Sequence, residues 1–255
     1  MTLLNIQNLT KSFGGLSALA DVNLTIESGE LVGLIGPNGA GKTTVFNLIT
    51  GVYRPDEGHI IFDEKPMEGL FPYKICQQGV ARTFQNIRLF KQLTVLDNVK
   101  IALHKDVPYH LYAAILRLPT FFRGEASIEE EALRYLKIFG LEWKKDELAS
   151  SLPYGEQRRL EIARALATRP RLLILDEPAA GMNPQETQNL MELIRWIREE
   201  FELTILLIEH DMSLVMGVCE RIYVLDYGRI IAQGVPEEIR NNPRVIEAYL
   251  GEEVS

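Results

Sequence analysis

Three short stretches concentrate the residue types in this chain that could do chemistry. They are glycines around a lysine and two threonines at 36–44, paired carboxylates at Asp176 and Glu177, and His210 directly after an apolar run. The first stretch ends LVGLIGPNGAGKTT and fits the spacing G-x-x-x-x-G-K-[ST] between a strand and a helix, a phosphate-binding loop. Gly36, Gly39 and Gly41 let backbone N–H groups of Asn38, Ala40 and their neighbours approach a polyphosphate, since no Cβ intervenes. A helix opening at the lysine adds orphan amides and the positive end of its dipole. Lys42 can then reach β- and γ-phosphates, the Thr43 hydroxyl can sit on Mg²⁺, and Thr44 extends the cradle.

The second stretch, RLLILDEP, places Asp176 and Glu177 at the carboxyl end of a buried parallel-type strand. Beside a phosphate loop, such a pair holds Mg²⁺ through Asp and activates water through the next group; alone, it could be an N-cap. His210 follows Thr204–Ile208, again on the side of an α/β sheet where ligands bind, although a lone histidine is often structural. Gln85 closes a short strand at 79–84, either as a ligand contact or as an amide capping a loop. Phe13 stands beside glycines, and the residues leave open a loop anchor or an aromatic face for a purine.

These groups need elements to position them. Strands are expected at 3–9 and 22–26 with KSFGG as the turn between them, then at 31–35, 59–62, 79–84, 172–175 and 204–208. A closing hairpin is expected around Asp226-Tyr227-Gly228. A helix follows the phosphate loop and ends at Thr50-Gly51, and another runs over 184–199 with proline in its first turn. From Thr94 the period becomes helical, with capping boxes at 94–97 and 127–130. The reading is an α/β core at 1–90 and 158–255, interrupted by a helical subdomain at 91–157. The apolar piece 109–122 is expected to be one of that subdomain's helices or, alternatively, a partner surface. In SLPYGEQRRLEIARALA, Leu160, Ile162, Ala163, Leu166 and Ala167 are expected inward, with Arg158, Arg159, Glu161 and Arg164 outward or along the edges.

Composition narrows the function classes. The 255 residues suffice for one large domain, or one with a subdomain. A net charge of −8 argues against a nucleic-acid backbone as partner. Two distant cysteines, Cys76 and Cys219, lack metal-ligand spacing and read as reduced structural thiols. No secretory leader is visible after Met1, and the most apolar piece, 107–122, carries two prolines and Arg117 and is not expected to cross a bilayer.

The order of these motifs, with a segment LPYGEQ at 152–157 between Gln85 and Asp176-Glu177, resembles the nucleotide-binding subunit of ATP-binding-cassette (ABC) transporters. Within that family GPNGAGKTTVFNLITG, RTFQNIRLF, DEPAAGMNP, IEHDM and NNPRVIEAYLG are similar to the ATPases of branched-chain amino-acid importers, with the lipopolysaccharide-export ATPase close in pattern. The resemblance implies a P-loop NTPase (RecA-like) core with a small antiparallel β subdomain and an inserted helical subdomain. It implies ATP and Mg²⁺ as ligands. Phe13 would stack on adenine, residues 38–44 would hold the phosphates, and Thr43, Gln85 and Asp176 would bear on Mg²⁺. Glu177 would be the general base, and His210 would sense the γ-phosphate. Gly155 and Glu156 would close over the ATP of a second copy in a head-to-tail dimer, formed with itself or with a homologous ATPase. Further implied partners are membrane permease subunits and, indirectly, a solute-binding protein, at the cytoplasmic face of the inner membrane. The chain departs from the common LSGGQ signature at Pro153 and Tyr154, and Asn183 stands where many relatives carry aspartate. Lipopolysaccharide export, urea or amide uptake and a non-transport cassette remain the alternative functions.

Overall fold

Alternating burial along Thr2–Phe13 (β1) and Leu16–Glu27 (β2) shows one face packed and one wet, the pattern of an antiparallel pair. The two strands run to a turn of only Gly14 and Gly15, so Lys11, Ser12 and Phe13 are strand residues and not part of a KSFGG loop. Register shifts along the pair and a left-handed Asn8 let the strands twist and continue further than the apolar pattern suggests. Glu57–Phe62 (β4) pairs with β1, and Lys65–Pro66 (β5) pairs with β4, giving a sheet ordered β2-β1-β4-β5.

The computed structural model describes residues 1–107 and 109–250, so the acidic segment 251–255 lies outside the described residues. The chain divides into one unit made of Met1–Arg82 with the segment from Arg171 onward, and a second, Thr83–Pro170.

In the first unit, Leu31–Ile35 (β3), Leu172–Asp176 (β7) and Thr204–Ile208 (β8) are buried at every position, as near-continuous apolar runs require in a parallel sheet. With Val80–Arg82 (β6), Arg221–Asp226 (β9) and Arg229–Gly234 (β10), they form a six-stranded sheet ordered β10-β9-β3-β8-β7-β6. All pairings are parallel except the β9–β10 hairpin, which turns at Tyr227-Gly228 with both residues left-handed. Strand β6 is shorter than the expected 79–84: its pairing with β7 ends at Arg82, whose guanidinium donates to Asn47 and Thr50. One apolar cluster joins the inner faces of both sheets to Val45, Phe46, Leu48 and Ile49 of helix Lys42–Ile49 (α1). Arg221 clips the sheets together, donating to both Glu30 carboxylate oxygens and to the Thr25 carbonyl.

The second unit is helical. Thr94 accepts the Asp97 N–H at 3.0 Å and starts Val95–Leu103 (α3; α2 is the short Pro72–Gln77). The expected single helix over 109–122 is broken into Leu111–Ile115 (α4) and the start of Pro119–Ile138 (α5), with a left-handed Arg117 between them. Leu118 is extended, as a residue before proline must be. Ser127 to Glu130 therefore lie inside α5 and form no capping box; Gly124, Ile128, Ala132 and Leu136 continue one buried stripe through them. Tyr154–Ala167 (α6) packs against α3 and α5 and belongs wholly to this unit, as does 83–90, where the sequence reading drew the boundaries at 91 and 157.

Candidate functional site

Between β3 and α1 the backbone is forced into shapes that only glycine holds cheaply. A Cβ on Gly36 would stand 2.0 Å from the Leu225 carbonyl oxygen, and one on Gly41 (φ 108°) 2.8 Å from the Ala18 carbonyl. Gly39 is left-handed with open space around it. The loop is closed by Ala40 N–H to Pro37 O (3.2 Å) and Thr44 N–H to Gly41 O (2.9 Å), and is tied to the β9–β10 turn by Gly228 N–H to Ala40 O (2.9 Å). Lys42 is buried, and its ammonium donates to the Gly36 carbonyl and, at 2.9 Å, to the Pro37 carbonyl. Thr43 is exposed in the first turn of α1, with Thr44 beside it. The loop expected from spacing is thus a tightly held turn, tied to the β9–β10 turn and running close to Leu225 and Ala18.

Parallel strands bring the remaining groups to the same sheet edge. Leu34, Ile208 and Asp176 fall in one register row across β3, β8 and β7. Asp176 is buried at the end of its strand. Glu177 takes a left-handed φ of 44° while its N–H donates to the Ile208 carbonyl at 2.8 Å, so the pairing holds a backbone that a non-glycine residue seldom adopts. Its carboxylate stands 3.5 Å from His210 Nδ1, and the His210 side chain is 60% exposed. The two residues that the sequence picked out separately therefore meet.

Glu209 was missed by the sequence reading. It is fully buried, one oxygen accepting the Ala179 N–H at 2.8 Å and the other the N–H groups of His210 (3.0 Å) and Asp211 (3.2 Å). Burial pushes its carboxyl pKa up, against those bonds and His210, which pull the other way. A lone acid after an apolar strand was the available signal. Asp211 then caps Met212–Val218 (α8), accepting from Ser213 and Leu214. Asn183 and Glu186 form a reciprocal capping box on Pro184–Glu200 (α7).

Phe13 ends β1, is 42% exposed, and meets Tyr53 edge-on with centroids 5.1 Å apart. That contact favours neither of its two readings alone, since a half-exposed ring serves both.

In the helical unit, Gln85 lies three residues past the end of β6, in a segment held by α6. Gly155 and Glu156 sit in the first turn of α6, with Pro153 as its N-cap residue and Glu156 paired to Lys144 at 2.7 Å. Arg158 and Glu161, expected outward or along the edges, are instead 0% and 1% exposed and ion-paired at 2.8 Å. Their charges turn inward because Arg158 donates to the Phe84 and Gln85 carbonyls and Glu161 accepts the Arg88 N–H, which leaves few polar groups unpaired. Burial pushes the Glu161 carboxyl pKa up, with Arg88 and Arg158 acting the other way.

The assembled edge has a glycine-rich loop around a buried lysine, a buried aspartate, and a glutamate beside a histidine. Residues 19–180 match the ABC transporter family, and 229–255 match the branched-chain amino acid ATP-binding cassette transporter family. The chain belongs to the ABC transporter family. Its activity is that of the family's ATPases, and the fold is the P-loop NTPase fold with an antiparallel sheet and a helical insertion. It is 50% identical over 250 residues to the high-affinity branched-chain amino acid transport ATP-binding protein LivG of Escherichia coli (strain K12), covering 98% of each chain. It is 36% identical to the lipopolysaccharide export system ATP-binding protein LptB of Haemophilus influenzae, covering 99% of each. Among solved structures it is similar to an ABC transporter's ATP-binding cassette in its ADP conformation, with TM-score 0.84, 30% identity and 98% and 99% coverage. It is also similar to a dimeric bacterial ABC transporter cassette, with TM-score 0.78, 27% identity and 92% and 99% coverage. Among the described residues no helix is long and apolar enough to cross a membrane.

Proposed function

We propose that this chain is the ATP-hydrolysing subunit that drives a membrane importer of branched-chain amino acids. The observation that carries the solute is the 50% identity to the branched-chain amino acid transport protein along 98% of both chains, against 36% for the lipopolysaccharide export protein. The match of 229–255 to the branched-chain cassette family supports the same choice.

The roles follow from the geometry and the family. Asn38, Gly39, Ala40, Gly41, Lys42 and Thr44 hold the phosphates, with Lys42 turning its ammonium from the loop carbonyls toward β- and γ-oxygens. Phe13 offers its half-exposed ring to adenine. Glu177 takes the proton of the attacking water, and His210, 3.5 Å from that carboxylate, orients it and serves the γ-phosphate. Hard oxygen donors, the Thr43 hydroxyl and the Asp176 carboxylate, fit Mg²⁺, and Gln85 is assigned to it by resemblance. When bound, Mg²⁺ supplies neutralisation of phosphate charge. A second copy's Gly155 and Glu156 complete each site, and permease subunits at the cytoplasmic face of the membrane receive the motion; a solute-binding protein delivers the solute to them.

The test is transport in proteoliposomes holding the permease that co-purifies. Leucine-dependent uptake should require ATP inside and vanish with Lys42→Ala. ATPase stimulation by lipopolysaccharide or an amide, with none by branched-chain amino acids, would reassign the solute.

A further inference from the structure

Within the helical unit, residues 84–90 have no strand or helix to satisfy their backbone, yet side chains from two helices hold them. Arg158 Nη1 donates to the Phe84 carbonyl at 2.6 Å and to Glu161 at 2.8 Å. Its Nη2 donates to the Gln85 carbonyl at 2.8 Å and to the Tyr154 hydroxyl at 3.3 Å. The other Glu161 oxygen accepts the Arg88 N–H at 3.0 Å. Asn98, buried on α3, exchanges bonds with both the Phe90 N–H (2.9 Å) and its carbonyl (3.1 Å). Arg158 is the largest fully buried side chain among the described residues, and its Nε has no partner, a cost the protein bears to keep the other nitrogens in place.

The guanidinium spreads four bonds over two nitrogens held in one plane, whereas an ammonium offers three donors from a single nitrogen and could not reach all four partners. Arg158 lies one helical turn from Tyr154, beside Gly155. The same guanidinium therefore grips the loop of Gln85 and the opening turn of α6.

We propose that Arg158, oriented by Glu161, is a positioning residue that locks the Gln85 loop to the first turn of α6, so that the two segments respond to nucleotide as one body. The proposal rests on the reading that Gln85 serves the chain's own nucleotide and Gly155 that of a second copy. It adds which side chains join the two segments inside each copy, Arg158 and Glu161.

The experiment is hydrogen–deuterium exchange on the full chain with and without Mg²⁺ and a non-hydrolysable ATP analogue, alongside steady-state turnover. In the unmodified chain, amides of 84–90 and 152–158 should gain protection together, by about threefold or more. Arg158→Lys keeps the charge and loses the fork: the analogue's Kd should stay within about twofold, turnover should fall about tenfold, and the two segments should no longer gain protection together. A merely structural role would lower the melting temperature without separating the two responses. If Arg158→Lys does not fold, Glu161→Gln carries the same test, because it removes the charge that orients the guanidinium while keeping an acceptor for Arg88. Native turnover and joint protection in a folded variant would overturn the proposal. Gln85→Ala separates the two levels: if it leaves turnover unchanged, the underlying site reading fails and the proposal with it. If it lowers turnover while Arg158→Lys does not, the proposal alone fails.

Discussion

At the scale of single residues, the site depends on backbone shapes as much as on side chains. Gly36→Ala puts a methyl where the Leu225 carbonyl already stands, at a φ of 152°. Strain and overpacking should each cost about 1–3 kcal/mol, read as a lowered denaturation midpoint. Nucleotide binding should weaken with it, since Leu225 ends next to the turn that pins Ala40. Glu209 gives a sharper prediction. Glu209→Gln keeps an acceptor for Ala179 but aims an amide NH₂ at the N–H groups of His210 and Asp211. One buried donor left unpaired costs about 1–3 kcal/mol, so melting should drop and kcat should fall more than ATP affinity, measured by turnover and calorimetry. That the 36–44 loop, Asp176, Glu177 and His210 gather at the carboxyl ends of neighbouring parallel strands was legible, because each follows a short apolar run. Glu209 was not, because one acid after a strand carries no sign of which N–H groups it will meet.

At the scale of elements, periodicity located the buried strands well and misjudged α6. The apolar stripe predicts its charges outward or along the edges, whereas Arg158 and Glu161 are buried against 84–90. A pattern of apolar and charged positions cannot reveal a loop that must borrow its hydrogen-bond partners. The break at Arg117 and the start of α5 at Pro119 were legible in principle from proline chemistry, but the apolar run concealed them. The pair makes a thermodynamic prediction of its own. Arg158→Met removes the ion-pair partner of buried Glu161, leaving it the Arg88 N–H, and should lose about 3–5 kcal/mol of stability by denaturant titration. The double variant Arg158→Met/Glu161→Leu should recover part of that loss, because no lone charge remains. Equal losses in the two would show that packing, and not charge, decides stability there.

At the scale of the whole molecule, the proposed function gives one chain one cradle, one general base and one α6 terminus, each cradle being completed by another copy's α6. The dimeric cassette among the similar structures is consistent with that arrangement. The net charge of −8 leaves the chain ill suited to a nucleic acid and compatible with a protein partner at the membrane. Which solute the partner carries was legible only through resemblance, since no residue of this chain is assigned a contact with it. The central claim is that Glu177 activates water within a site that needs two copies. It is tested most directly by Glu177→Gln, with light scattering and turnover followed at saturating ATP. An ATP-dependent dimer should persist while turnover falls by about a hundredfold or more. Unchanged turnover, or a variant that binds ATP and stays monomeric, would contradict it.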